Sequence, residues 1–301
     1  MPEPLLKIEQ LSVRFGSGDS AVEAVSGLDL SIAPGEVVAV VGESGSGKTV
    51  TALTITRLLG SPPVTGREGK ILFKGKDLLA TPEEKLRDFR GARIAYVFQE
   101  PASALNPVFK AGYQIGEALR QHGRAKGREK QRILSLLLDV GIREPERVAE
   151  AYPHQLSGGQ QQRVMIAMAL ACEPDLLIAD EPTTALDVTV QMQILELLKK
   201  LQREHGMAVL LITHNLAIAA NMADRIAVMY AGELVEAGRA EDVIKKPLHP
   251  YTKALLNAVP RMAGEPGELN GIPGQIPPAN AWPSGCRFHP RCPIARDRCR
   301  G

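Results

Sequence analysis

Aromatic side chains are scarce in this chain of 301 residues, with one Trp, five Tyr and six Phe. A surface that stacks bases between basic side chains is therefore not expected. Charge of one sign is equally short. Lys and Arg number 36 against 34 Asp and Glu, a formal charge of +2, which sets up no field to draw a polyanion. Long apolar runs are missing too, since a membrane span needs about 18 residues. The longest candidates here are residues 164–172 and 208–212. The opening Met1-Pro2-Glu3-Pro4 lacks a basic and apolar export pattern, so cytosolic residence is expected and any membrane role has to come through a partner. Cysteine is sparse: there are four, three of them in residues 286–301, which is no secreted disulfide framework.

What the chain does have is glycine in one decisive place. Gly42-Glu43-Ser44-Gly45-Ser46-Gly47-Lys48-Thr49 fits G-x-x-x-x-G-K-[ST] in full. The run Val37-Val38-Ala39-Val40-Val41 before it reads as a buried strand, and residues 49–59 after it as a helix. Between strand end and helix start, the backbone amides of Gly42, Ser44, Gly45 and Gly47 can surround phosphate. Lys48 can reach the β- and γ-phosphates, and the Thr49 hydroxyl suits Mg²⁺.

Residues 5–15 and 28–32 alternate as half-buried strands, with a break at residues 16–20. Phe15, at a strand end, fits either an adenine stack or a core aromatic. Residues 69–73 and 93–98 read as further strands, and Gln99 follows the second as an uncharged donor and acceptor that suits a metal ion or water. Residues 108–171 turn helical. Leu156-Ser157-Gly158-Gly159-Gln160 then precedes a helix expected at residues 161–171, with Ser157 as its cap, and makes a second anion-binding helix start. Leu176-Leu177-Ile178-Ala179-Asp180-Glu181 reads as a strand buried on both faces and ending in two acids. Asp180 suits Mg²⁺ and Glu181 suits a general base. Ala185-Leu186-Asp187 leads into a helix at residues 190–204. The strand at residues 209–213 ends in His214, at the ligand edge of a parallel sheet. Strands at 225–230 and 233–237 close the sheet. After about Lys245 prolines crowd the chain, and only residues 251–258 look helical.

In this order, the phosphate loop, Gln99, residues 156–160, Asp180-Glu181, Ala185-Leu186-Asp187 and His214 resemble the motif set of ABC-transporter ATPase subunits, over about residues 5–238. The resemblance implies an α/β fold: a P-loop NTPase core with an antiparallel β subdomain, a helical subdomain at about 102–171 and a C-terminal appendage. The ATP-binding domain would span 1–245 and the extension 246–301. It also implies a head-to-tail dimer in which Ser157 and Gly159 contact ATP held by the partner's phosphate loop, and it makes Gln160 and Asp187 further nucleotide-binding residues.

A narrower likeness is carried by residues 42–48, Tyr152-Pro153-His154-Gln155-Leu156, His249-Pro250-Tyr251-Thr252 and the closing cysteine segment. These look like ATPases of bacterial oligopeptide, dipeptide and nickel importers, the dipeptide type above all. That family implies a second related ATPase, two transmembrane permease subunits, a periplasmic or extracellular peptide-binding protein and a peripheral position at the cytoplasmic face of the inner membrane, with no nucleic-acid partner. The alternatives are a nickel or other small-solute importer, or a soluble ABC-type ATPase acting on nucleic acid or ribosomes. Cys286, Cys292 and Cys299 match three of the four cysteines that hold a 4Fe-4S cluster in the family, and the fourth has no match in this sequence. By geometry alone zinc, with His289, or three unligated thiols stay open.

Overall fold

The structure, a computed structural model, describes residues 3–16, 21–60, 64–124, 127–184, 186–258 and 272–301. Residues 17–20 of the expected break after Phe15, Ala185, Pro260 and Pro266 lie outside the described residues. In chain order the strands and helices are β1 (Leu6–Phe15), β2 (Val22–Ile32), β3 (Val37–Val41), α1 (Lys48–Ile55), β4 (Val64–Phe73), β5 (Lys76–Asp77), α2 (Glu83–Leu86), β6 (Ile94–Val97), α3 (Pro101–Ala104) and α4 (Ala111–Gln121). There follow α5 (Glu129–Asp139), α6 (Pro145–Glu150), α7 (Gly158–Leu170), β7 (Leu176–Asp180), α8 (Val188–His205), β8 (Ala208–Thr213), α9 (Leu216–Met222), β9 (Arg225–Tyr230), β10 (Glu233–Arg239), α10 (Ala240–Lys245) and α11 (Pro250–Asn257). The chain divides into two units, residues 1–81 with 211–301, and residues 82–210.

In the first unit an antiparallel sheet has the order β2-β1-β4-β5. Its core face uses Leu6, Ile8, Leu11 and Val13. The three-residue step from Ile8 to Leu11 would turn the second pair outward in a regular strand. A bulge at Gln10 (φ 47) restores the face. The opposing Gly69 is required there, because a Cβ on it would lie 2.4 Å from the Gln10 and Glu9 carbonyl oxygens. β2 begins at Val22 rather than at the expected residue 28. Residues 22–27 do not alternate cleanly, and pairing with β1, from Phe15 opposite Val22 onward, is what holds them extended.

The same unit carries the strand pairs that place the phosphate loop. β3 runs parallel to β9 from Val38 opposite Arg225 to Val41 opposite Val228, and β10 lies antiparallel to β9. All five β3 residues are buried, as an apolar run between parallel neighbours should be. α1 stops at Ile55, shorter than the expected 49–59, because Arg57 takes a left-handed φ of 53° and gives a guanidinium hydrogen bond to the Thr81 carbonyl.

In the second unit β6 pairs in parallel with the fully buried β7, from Ile94 opposite Leu176 to Val97 opposite Ala179. Helices α3 to α7 occupy most of the segment expected to be helical. α7 starts three residues earlier than expected, at Gly158, and α8 two residues earlier, at Val188, because Ser157 and Asp187 cap them. β8 carries the chain from the second unit back into the first. Among the described residues, 272–301 hold only two three-residue 3-10 turns, His289–Arg291 and Asp297–Cys299, in keeping with the irregular appendage expected there. No helix among the described residues is long and apolar enough to cross a membrane.

Candidate functional site

In the first unit the loop between β3 and α1 is shaped by glycines that nothing larger can replace. Gly47 caps α1 with φ 98°, and a Cβ on it would lie 2.6 Å from the Ala24 carbonyl oxygen. A Cβ on Gly42 would lie 2.2 Å from the Met229 carbonyl oxygen. The loop is therefore pressed against β2 and β9 backbone, which leaves its outer side, with Ser44, Gly45 and Thr49 exposed, for a ligand. Lys48 is buried. Its Nζ donates to the carbonyl oxygens of Gly42 and Glu43, both at 2.9 Å, and to Ser46 Oγ at 3.4 Å. An ammonium group held on loop carbonyls at a helix start is a preformed cation for a phosphate chain. His214 is exposed just after β8, where Asn215 caps α9.

The second unit holds the two acids in different settings. Asp180 is buried and accepts a hydrogen bond from the Tyr96 hydroxyl at 2.7 Å. Burial first, and then the Asp180 charge, push the Tyr96 phenol far above its ordinary value, so it stays a donor. Glu181 leaves the strand with a left-handed φ of 44°, a strained conformation for a residue with a side chain. Thr184 Oγ1 donates to Glu181 Oε2 at 2.8 Å, and Gln99 Nε2 donates to the same oxygen at 3.3 Å. The turn thus aims one carboxylate inward against a phenol and the next outward, held by a hydroxyl and an amide.

At the start of α7, Ser157 and Gln160 form a reciprocal capping box: Gln160 N–H donates to Ser157 Oγ at 3.4 Å and Ser157 N–H to Gln160 Oε1 at 3.2 Å. A Cβ on Gly159 would come within 2.9 Å of Val190 Cγ1 at the start of α8, so the two helix ends meet closely. Asp187 caps α8 by accepting the Val190 N–H at 2.9 Å.

Residues 25–184 match the family described as ABC transporter, and residues 235–299 match the oligopeptide/dipeptide transporter C-terminal region. The chain belongs to the ABC transporter ATPase family. This ABC ATPase is 50% identical, over 98% of its length and 90% of the relative's, to the dipeptide transport ATP-binding protein DppD of Escherichia coli (strain K12). It is 49% identical, over 97% of its length and 87% of the relative's, to DppD of Bacillus subtilis (strain 168). A putative peptide import ATP-binding protein of Brucella ovis is 50% identical over 99% of this chain and 91% of its own. Among solved structures, a dimeric ATP-binding cassette in a post-hydrolysis state with ADP and Pi superposes with a TM-score of 0.69 at 33% identity, covering 78% of this chain and 98% of that one. The expected α/β cassette fold stands, and with the family comes its chemistry, ATP hydrolysis coupled to transport.

Elsewhere in the ABC ATPase, Phe15 is half-buried at the end of β1. Cys172 is buried, and its thiol contacts the Ala118 carbonyl oxygen at 3.6 Å, as a core residue would. The expected 4Fe-4S site finds no support in the described side chains. Among the described residues no three His, Cys, Asp or Glu side chains are grouped to hold a metal ion, and Cys286, Cys292 and Cys299 are free thiols, exposed or half-buried. The side chains this segment buries are Arg287, Phe288 and Arg291, and the Cys286 N–H donates to the Cys299 carbonyl oxygen at 3.0 Å.

Sequence reasoning missed two partners of the site: Tyr96 on Asp180, and the α11 region against the phosphate loop. The second is seated by His249, which caps α11 through Nδ1, accepting the Tyr251 N–H at 3.1 Å. Glu236 Oε2 accepts the His249 N–H at 3.0 Å. Burial lowers the imidazole pKa, and Glu236 only partly opposes it. The folded chain therefore resists a proton that the unfolded chain takes up near pH 6.5. This contribution to stability is complete above that pH and falls as pH drops below it. Between pH 7.5 and 5.5 the wild-type Tm is expected to fall more steeply than that of His249→Asn. Parallel Tm profiles would remove His249 from this role.

Proposed function

We propose that the chain is the ATP-hydrolysing subunit of an ABC importer whose cargo is dipeptides or short oligopeptides, working peripherally at the cytoplasmic face of the membrane. The observation that carries this reading is the near-full-length likeness to dipeptide transport ATP-binding proteins, which extends through the region 235–299 as well as the ATP-binding segment. In this reading residues 1–245 are the ATP-binding domain, with the helical subdomain at about 102–171, and residues 246–301 the importer-type extension. Two transmembrane permease subunits, a second related ATPase and an extracytoplasmic peptide-binding protein complete the machine.

The residues present suit MgATP. The tight glycine turn and the held Lys48 ammonium fit the phosphates, with amides from Gly42, Ser44, Gly45 and Gly47 around them. Thr49, Gln99 and the buried Asp180 offer oxygen ligands to Mg²⁺, which spreads the charge that develops on the transferred phosphoryl group. Glu181, held by Thr184, orients and deprotonates the attacking water. His214 senses the γ-phosphate and Phe15 stacks on adenine. Ser157 and Gly159 contact nucleotide held by the partner cassette, and Gln160 and Asp187 are further nucleotide-binding residues. The iron-sulfur cluster expected for the extension lacks support from its side chains, and this function makes no use of one.

The test is uptake in cells lacking the chain's gene, together with ATPase assays of the purified transporter supplied with candidate binding proteins. Restoration of labelled dipeptide uptake supports the reading. Restoration of nickel uptake alone overturns the cargo assignment. In the same complex Ser157→Arg, which places a bulky cation at the capped start of α7, is expected to abolish stimulated hydrolysis while the isolated subunit still binds ATP. Unimpaired stimulation in that variant would remove Ser157 from the dimer contact.

A further inference from the structure

We propose that Arg291 and Tyr251, both in the C-terminal part of the chain, are positioning residues that hold Glu43 of the phosphate loop and set the loop's affinity for nucleotide. The inference rests on the reading that this loop binds ATP. Glu43 occupies the second position of the glycine motif, where its carboxylate adds negative charge beside a site meant for phosphates. Left unpaired, that charge opposes the ligand. Arg291 answers it with a fork: Nη1 donates to Glu43 Oε2 at 2.7 Å and Nη2 to Oε1 at 3.1 Å. The guanidinium side chain is only 4% exposed, so water screens the pair little.

Arg291 is itself fixed. Its Nε donates to the Pro273 carbonyl oxygen at 2.8 Å and its Nη1 lies 3.4 Å from the Tyr230 hydroxyl. Three residues earlier in the chain, Phe288 packs edge-on against Tyr230 and tilted against Tyr251, with ring centroids 5.1 and 5.3 Å apart. That cluster delivers a second hold on the same loop residue, for the Tyr251 hydroxyl accepts the Glu43 N–H at 2.8 Å. The Glu43 amide is thereby taken out of the set that can face phosphate. The remaining polar group of Glu43, its carbonyl, is one of the two that hold the Lys48 ammonium. Side chain, amide and carbonyl of one loop residue are thus all engaged, two of them by a segment more than 200 positions away in sequence, and the third by the lysine that meets the ligand.

Two consequences follow for nucleotide binding. Removing the Arg291 charge frees the Glu43 carboxylate to repel phosphate, and removing the Tyr251 hydroxyl frees the Glu43 backbone. The effect falls on ATP affinity and KM more than on kcat, because neither residue touches the reacting atoms. The probe is Mg²⁺ with a fluorescent ATP analogue, titrated into the full-length chain, alongside ATPase kinetics of the assembled transporter. Arg291→Gln is expected to weaken nucleotide binding about tenfold, within the usual span of coupling between sites. Adding Glu43→Gln to Arg291→Gln should restore most of that affinity, which a merely structural role for Arg291 would not allow. Tyr251→Phe, which deletes one oxygen and keeps the ring packing, is expected to weaken binding about threefold through loss of one hydrogen bond. Arg298→Gln, an exposed cation on the same segment, serves as the unchanged control. Should Arg291→Gln lose its fold, Tyr251→Phe still decides the matter. Wild-type affinity in every variant that folds would overturn the inference. Rescue failing in a folded double variant would overturn its electrostatic basis, whereas a wild-type chain that binds no nucleotide would sink the ATP reading instead.

Discussion

Glu181→Gln is expected to bind MgATP as the wild type does and to lose about 10² to 10⁴ in turnover, the span associated with a positioned acid-base group. The exchange keeps the size and shape of the side chain and leaves an oxygen for the Thr184 hydroxyl, which donates to Glu181 Oε2 at 2.8 Å. What it deletes is the negative charge that draws a proton from water. The left-handed backbone at this residue, φ 44°, supports the assignment, because strain of that kind persists where surrounding structure enforces it. Neighbouring Asp180 cannot stand in, since it is buried and bound to the Tyr96 hydroxyl. The measurement is steady-state ATPase of the assembled transporter beside nucleotide affinity of the same preparation. Near-normal turnover at unchanged affinity would take Glu181 out of the chemistry.

Lys48→Ala acts on the other side of the kinetic scheme. A hydrogen bond to a charged group contributes about 1.5 to 3 kcal/mol, so losing the ammonium should weaken nucleotide binding by roughly 10- to 150-fold. The loss is compounded inside the loop, because Nζ bridges the Gly42 and Glu43 carbonyl oxygens and their removal from it loosens the turn. Lys48→Arg is not expected to rescue, since a planar fork does not fit a buried position that seats a compact ammonium. Equilibrium titration with nucleotide reads the effect directly. Wild-type affinity in Lys48→Ala, with the fold intact, would falsify the assignment of Lys48 to the phosphates.

The two variants also separate what could be read along the chain from what could not. The phosphate loop, its strand and the capped start of α7 were legible because each depends on residues within a few positions. A run of five apolar residues buries itself as β3, and Ser157 needs only Gln160 to close its box. Element ends were less legible. α1 stops early because Arg57 reaches Thr81, and β2 starts early because β1 lies alongside it. Both causes sit outside the window in which periodicity is counted.

By itself, then, the sequence determined the cassette and its ATP chemistry, since a glycine loop, a capped signature helix and a strand ending in two acids are local devices set by backbone geometry and nearest side chains. It also settled membership of the importer-type branch of the family through the match over residues 235–299. The tertiary structure alone decided which residues those devices lean on. Tyr96 meets Asp180 across 84 positions and Arg291 meets Glu43 across 248. Such pairs are the sum of every turn between them, and no spacing rule encodes that sum. The same holds for the closing segment, where the fold buries Arg287, Phe288 and Arg291 and leaves Cys286 exposed and Cys292 and Cys299 half-buried. A buried guanidinium keeps its charge only where acceptors replace the lost water, and for Arg291 that acceptor, Glu43, lies far off along the chain.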